Sequence, residues 1–121
     1  MSKSLTQIQK DIDIFCKERE WHHKHPNDLI GAILIELGEL AEHYQWNNEF
    51  KDLSDEEKKE IGYEFVDVLF YLCTLANKSD IDIEEMFYDK LPKLKEKFKD
   101  GKHNKEVNKK YRESGKNRLY D

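Results

Sequence analysis

Apolar residues recur along this chain at the three- and four-residue spacing of amphipathic helices, and the alternation typical of strands is nearly absent. Helix-start signals of the capping-box type stand at Ser4–Gln7, Ser54–Glu57 and Asp82–Glu85. These patterns predict four helices, at about residues 5–25, 27–46, 55–77 and 83–98. Pro92 should kink or split the last of them. Because the predicted loops are short, neighbouring helices should run antiparallel, and the fold class is an all-α four-helix bundle.

Two acidic pairs occupy matching positions on the two middle helices. At about 100° per residue, Glu36 and Glu39 lie on one flank of the second helix's apolar stripe, as Glu64 and Asp67 do on the third. The two patterns superimpose after a shift of 28 residues. If both stripes face one core, an antiparallel pair brings the four carboxylates together. The predicted core stripes are Leu29, Ile33, Leu37, Leu40 and Tyr44, and Ile61, Phe65, Val68, Leu72 and Leu75.

Four neighbouring carboxylates repel one another unless protons or a cation intervene. Oxygen-only ligands suit hard cations, so the group predicts a Mg²⁺ site, with Mn²⁺ as the second choice. A di-iron carboxylate bundle needs Glu-x-x-His on each of two helices, and the sequence has one such motif, Glu20–His23. A zinc site would lack its Cys and His ligands. The alternative is a solvated acidic edge, although no Lys or Arg follows at i+4 to form surface ion pairs.

Composition excludes several classes of protein. Charged residues make up 39% of the 121 residues, and the longest apolar run, Val68–Cys73, is too short to span a bilayer. Residues 1–89 carry a net charge of −12, which disfavours nucleic-acid binding, and residues 90–121 carry +7. The N-terminal residues contain no signal-peptide core, and Cys16 lies, like Cys73, on an apolar stripe where a reduced thiol is expected. We therefore expect a cytoplasmic protein that binds neither nucleic acid nor membrane.

The third helix is apolar on two sides, because Phe70 and Val66 fall opposite its core stripe. A helix of that kind is buried on both sides. A single four-helix unit would leave one side exposed. The bundle should therefore be completed by oligomerisation, as a homodimer or homotetramer.

The segments IELGELAEHYQW at residues 35–46 and EFVDVLFYL at residues 64–72 resemble the MazG-like all-α nucleoside triphosphate pyrophosphohydrolases, in particular the small dCTP pyrophosphatase branch. The resemblance covers about residues 10–98, which makes 1–100 the family domain and 101–121 a basic C-terminal tail. It implies Mg²⁺-dependent cleavage of a nucleotide between its α- and β-phosphates, to a monophosphate and pyrophosphate. The expected substrate is a pyrimidine deoxynucleotide such as dCTP or dUTP, with phosphoribosyl-ATP as an alternative.

By this resemblance Glu36, Glu39, Glu64 and Asp67 are the metal ligands. Glu39, with Glu36 beside it, is the predicted catalytic residue that takes the proton of the attacking water. The resemblance also implies four substrate-binding residues: Trp21 and Trp46 in the base pocket, Tyr71 beside the metal, and Lys90 at the phosphates.

The chain departs from the family pattern at three places. Leu94 stands where the branch has Asn, Ile12 where it has a base-pocket His, and Lys24 where it has a His two residues before Pro. The resemblance therefore supports the expected reaction more strongly than it supports a preference for one base. The competing hypothesis is a non-catalytic helical interaction module that kept the fold.

Overall fold

Four α-helices make up the regular structure in a computed structural model that describes residues 4–45, 50–99 and 109. They are α1 (Leu5–Glu18), α2 (Pro26–Glu42), α3 (Asp55–Lys78) and α4 (Ile83–Lys97). No strand occurs in those residues, so the all-α prediction is confirmed. Met1–Ile83 and Glu84–Asp121 form two compact units, of which the first holds α1, α2 and α3. The predicted tail lies outside the described residues apart from Lys109, whose backbone is helical, and the domain boundary at residue 100 stays a prediction.

Side-chain caps begin α1 and α3 at the predicted signals. The Ser4 hydroxyl accepts a hydrogen bond from the backbone N–H of Gln7 at 3.1 Å. At α3 the box is reciprocal, because Ser54 accepts from the Glu57 N–H and the Glu57 carboxylate accepts from the Ser54 N–H, both at 3.1 Å. That backbone hydrogen bond is the main reason why the pKa of Glu57 is lowered. α2 begins instead with Pro26 in its first turn, where a missing N–H costs nothing.

The C-terminal ends of α1 and α3 share one hydrogen-bonded motif. After α1, the Trp21 N–H donates to the Cys16 carbonyl at 2.9 Å while Glu20 takes a left-handed conformation, with φ of 57°. The equivalent bonds close α3 around Asp80, also at φ 57°. This is the Schellman pattern, in which glycine normally fills the left-handed position. Both helix ends therefore hold an acidic residue in a conformation that disfavours side chains.

Two predicted helix ends are wrong, and a predicted break inside α4 does not occur. α1 ends at Glu18, well before Pro26, because the Schellman turn stops it. α2 ends at Glu42, so it falls short of Trp46, and residues 43–45 form a turn. α4 is continuous through Pro92, so that residue does not split the helix.

Gln9 of α1 joins three segments of the first unit. It is 5% exposed, and its amide nitrogen donates to Asn77 Oδ1 at 2.9 Å and to the Ile81 carbonyl at 3.0 Å. Its amide oxygen accepts from the backbone N–H of Ile83 at 2.7 Å, while Asn77 Nδ2 donates back to the Gln9 carbonyl. Every polar group of this buried side chain is paired, so it fixes α1 against the C-terminal end of α3.

α2 and α3 pack antiparallel. His43 at the end of α2 lies beside Glu64 near the start of α3, while Leu29 near the start of α2 lines one cavity with Leu75. Leu29 and Cys73 are the most deeply buried side chains, at 2% and 0% exposure. The core of the first unit thus lies where α3 meets α2 on one side and α1 on the other.

The predicted core stripes are partly wrong. Leu37, Phe65 and Leu72 are 42%, 55% and 43% exposed. Phe70, expected on an outer face, is half-buried and packs edge-to-face on Phe15 of α1 with ring centroids 5.6 Å apart. Val66, 55% exposed, lies on an open surface as expected. The apolar face of α3 opposite α2 is therefore covered in part by α1 of the same chain.

Both cysteines are free and buried, as predicted. Burial raises the pKa of the Cys73 thiol, which keeps it protonated and unreactive. Among the described residues, no helix combines the length and the apolar character that a membrane crossing needs.

Candidate metal centre

The antiparallel pairing of α2 and α3 brings their acidic flanks together. One carboxylate oxygen from each of Glu36, Glu64 and Asp67 lies within 4.8 Å of the others. Glu39, one turn after Glu36 on α2, is exposed, and its negative charge acts on the Glu36 carboxylate. The structure thus brings three of the four predicted carboxylates together and leaves Glu39 beside Glu36 on α2, and the role of all four as ligands stays a prediction.

The surroundings of the cluster disfavour the negative charge of its carboxylates. Glu36 Oε2 and Glu64 Oε2 are buried and have no hydrogen-bond partner among the described residues. The pKa of Glu36 is raised, first by burial, then by the neighbouring Glu39 side chain and by the charges of Asp67 and Glu64. A buried carboxylate oxygen without a partner costs free energy, and so does each neighbouring negative charge. A proton or a cation placed among these oxygens would relieve both costs.

These residues fit a divalent cation with hard ligand preferences. The converging donors are carboxylate oxygens, which Mg²⁺ and Mn²⁺ prefer. Glu36 and Glu64 each have one buried oxygen without a hydrogen-bond partner in the described part of the chain, so these residues have an oxygen that is not already engaged. The described residues within the cluster include no thiolate, which a structural zinc site would commonly contain.

His43 is a neighbour of the cluster that sequence reasoning missed. Its Nε2 lies 3.9 Å from Glu64 Oε1, with the two side chains 30% and 23% exposed. His43 follows Glu39 by four residues, so helical spacing already placed it on the acidic flank of α2. What sequence alone could not show is the pairing of α2 with α3 that brings it beside Glu64.

Trp21 and Tyr71 lie on one line of aromatic contacts. Trp21, 47% exposed, packs edge-to-face on Phe15 at 5.5 Å, Phe15 packs on Phe70, and Phe70 packs on Tyr71 at 5.7 Å. Trp21 also lines a cavity of about 180 Å³. Other residues around this cavity include Cys16, His23, Thr74, Asn77 and Lys78. The Nε2 atom of His23 is buried and has no hydrogen-bond partner among the described residues.

The other two predicted substrate residues lie outside the described residues of the first unit. Lys90 is exposed on α4, in the second compact unit. Trp46 lies outside the described residues. Their roles stay predictions.

Comparison with known proteins decides the family. A family model described as dUTPase matches residues 2–118, and this family is MazG-like, all-α and made of nucleotide pyrophosphatases. The chain belongs to this dUTPase family. The resemblance seen in the two acidic segments is thereby confirmed. MazG-like pyrophosphatases are generally dependent on a divalent metal, which agrees with the donor set of the cluster.

Individual relatives of this dUTPase-family chain are moderately similar. Mus musculus dCTP pyrophosphatase 1 is 30% identical over 100 residues, 78% of this chain and 59% of the mouse protein. The Homo sapiens protein of the same name is 36% identical over 85 residues, 66% of this chain and 50% of that protein. The uncharacterized protein YpjD of Bacillus subtilis (strain 168) is 32% identical over 88 residues, 69% of this chain and 76% of YpjD. The chain thus spans little more than half the length of the mammalian relatives, and no solved structure matches it.

Proposed function

We propose that this protein is a Mg²⁺-dependent nucleoside triphosphate pyrophosphohydrolase that converts a pyrimidine deoxynucleotide, such as dCTP or dUTP, to its monophosphate and pyrophosphate. The observation that carries the proposal is the cluster of Glu36, Glu64 and Asp67 with its buried, unpaired oxygens. The choice of nucleotide is supported by the dUTPase family match and by the name of the mammalian relatives, dCTP pyrophosphatase 1.

The three close carboxylates, with Glu39 beside them, would hold the cation. A bound divalent cation supplies the positive charge that holds and neutralises phosphate oxygens. Glu36 and Glu64 each offer a buried oxygen that has no other partner in the described structure, and Asp67 is more open to solvent. The burial of the first two makes them the inner ligands and leaves Asp67 on the side from which a nucleotide can approach.

Glu39 is the residue proposed to take the proton of the attacking water. It lies outside the group of three that converge within 4.8 Å, and its side chain is exposed, so its carboxylate is open to water. The water oxygen forms a bond to the α-phosphorus, the bond from that phosphorus to the bridging oxygen breaks, and pyrophosphate leaves. Glu36, one helical turn before Glu39 on α2, is the second member of this catalytic pair.

The base is proposed to enter the cavity beside Trp21. Asp67, Tyr71 and Thr74 follow one face of α3, and Thr74 lies seven residues, or about 10 Å, beyond Asp67. Thr74 lines the cavity with Trp21 and His23. A nucleotide with its phosphates at the carboxylates can therefore extend along α3 toward an aromatic side chain, on which any base can stack, and toward the unpaired Nε2 of His23.

Pyrophosphate release from a panel of nucleoside triphosphates, with and without Mg²⁺, tests this function. We expect turnover of a pyrimidine deoxynucleotide in Mg²⁺ and none in EDTA. Glu36→Gln and Asp67→Asn should abolish it, whereas Glu42→Gln, a change at an exposed α2 side chain outside the cluster, should not. A protein that releases no pyrophosphate from any of them would favour the non-catalytic interaction module.

We further propose that a second copy of the chain covers an apolar face of the α2–α3 pair. Ile30, Leu34 and Leu37 stand at the four- and three-residue spacing of a helical seam and are 44%, 63% and 42% exposed. Phe65 and Leu72, seven residues apart, form the matching stripe on α3. Because the acidic flanks of both helices meet on one side of the pair, these two apolar stripes lie together on the other side. Contiguous exposed apolar residues of this kind are typical of an interface.

Two exposed residues of α2 provide a matched pair of variants that tests this interface. Leu34 and Ile35 are 63% and 64% exposed, but they point about 100° apart around α2. Sedimentation velocity at micromolar concentration should show a dimer or larger assembly for the wild type and Ile35→Lys, and dissociation for Leu34→Lys. A monomeric wild type, or equal behaviour of the two variants, would exclude this interface.

A further inference from the structure

His43 stands where the end of α2 meets the acidic flank of α3. Its backbone N–H donates to the Leu40 carbonyl at 3.2 Å, and φ and ψ of −68° and −20° keep it in the last helical turn. The helix end therefore fixes the direction from which its imidazole reaches α3. Its Nε2 lies 3.9 Å from Glu64 Oε1.

The two oxygens of Glu64 have different surroundings. Oε1 faces the imidazole of His43, whereas Oε2 is buried and has no hydrogen-bond partner in the described part of the chain. A carboxylate that is held by one oxygen presents the other in a fixed direction. Carboxylates that bind metal ions are generally held in this way by a neighbouring donor, and loss of that donor weakens metal binding.

We propose that His43 is a positioning residue that holds Glu64 Oε1 and so directs Glu64 Oε2 into the carboxylate cluster. The observed 3.9 Å separation is longer than a hydrogen bond, so in this role the two side chains approach until an Nε2–H group donates to Oε1 at about 3 Å. His43 itself is not one of the three residues whose ligand atoms converge within 4.8 Å, so it acts through Glu64. This role rests on the proposed metal-dependent function.

Mn²⁺ binding to the full chain without nucleotide tests the proposal, with free Mn²⁺ measured by electron paramagnetic resonance. His43→Leu should weaken Mn²⁺ affinity by roughly 10- to 100-fold. His43→Gln keeps an N–H donor at similar reach and should restore most of the affinity. His25→Leu, a change at an exposed histidine that makes no side-chain cap bond to α2, should bind as the wild type does. Melting temperatures in EDTA should agree among the four proteins, which shows that the fold is unchanged.

Two results would overturn the positioning role: wild-type Mn²⁺ affinity in His43→Leu, or an affinity of His43→Gln as low as that of His43→Leu. If either occurs while the wild type binds Mn²⁺ and hydrolyses nucleotide, the proposed function stands and only the role of His43 is lost. Absence of Mn²⁺ binding by the wild type would overturn both.

Discussion

Replacing Glu36 by Gln should stabilise the protein without metal and remove its stabilisation by metal. Two unit charges 4.8 Å apart repel by about 0.9 kcal/mol in a medium with the dielectric constant of water. Glu36 faces two carboxylates within that distance, Glu64 and Asp67. After allowance for solvent screening, loss of its charge should raise the free energy of unfolding by about 1–2 kcal/mol. For a domain of this size, that is a rise of roughly 4–8 °C in Tm.

The pH dependence follows from the direction of the pKa shift. The pKa of Glu36 is raised in the folded protein above the ordinary value of 4.5, so the folded state binds this proton more tightly than the unfolded chain does. The resulting destabilisation is fully present above the folded pKa and disappears as pH falls through it toward 4.5. The advantage of Glu36→Gln over the wild type in EDTA should therefore be largest near neutral pH and should shrink on acidification.

Differential scanning calorimetry of the wild type, Glu36→Gln and Glu42→Gln, in EDTA and in millimolar Mg²⁺ or Mn²⁺, measures these effects. The wild type and the control Glu42→Gln should gain Tm when metal is added, because a ligand of the folded state stabilises it. Glu36→Gln should start higher in EDTA and gain little. The reasoning is refuted if Glu36→Gln melts at or below the control in EDTA, or if it keeps the full metal-dependent gain.

Three further predictions concern the rest of the first unit. Gln9→Ala should lower the free energy of unfolding by about 2–4 kcal/mol, since it leaves Asn77 Oδ1 and two backbone groups without their partners, whereas Gln7→Ala at an exposed position should cost little. Urea unfolding compares the two variants, and equal losses would contradict the pairing. Asp80→Gly should raise stability by about 0.5–1 kcal/mol by relieving a left-handed conformation, and a lower Tm would show that the aspartate side chain stabilises the turn. Trp21→Ala should raise KM with little change in kcat, because stacking on a base is worth roughly 1–3 kcal/mol in ground and transition states alike; steady-state kinetics that show lost kcat at unchanged KM would remove Trp21 from the base pocket.

The features that sequence predicted well depend on neighbours along the chain. The capping box at Ser54 involves residues three apart, and its hydrogen bonds form as the pattern indicates. The convergence of Glu36 with Glu64 and Asp67 follows from helical periodicity and one assumption, that the two apolar stripes face each other. The assumption holds for only part of each stripe, because Leu37, Phe65 and Leu72 are exposed, yet the antiparallel pairing of α2 and α3 still brings these three carboxylates together.

The features that sequence missed depend on which elements meet. α3 has apolar residues on several sides, and periodicity does not say that Phe70 packs on Phe15 of α1 while Phe65 remains exposed. Glu20 gives no glycine signal for the turn that ends α1. The position of His43 beside Glu64 depends on how α2 and α3 pair, because the two residues are 21 positions apart in the chain.

All four predicted ligands, the three converging carboxylates and Glu39, belong to the α2–α3 hairpin, and α1 contributes none of them. A cation held by both of its helices would cross-link them without a covalent bond, and separating α2 from α3 would then require releasing the ion. Amide hydrogens of α2 and the first half of α3 should consequently exchange with solvent more slowly as the ion concentration rises. Those of α1, tied through Gln9 to the far end of α3, should change much less. Ion supply would thus set how often this hairpin opens, independently of any nucleotide.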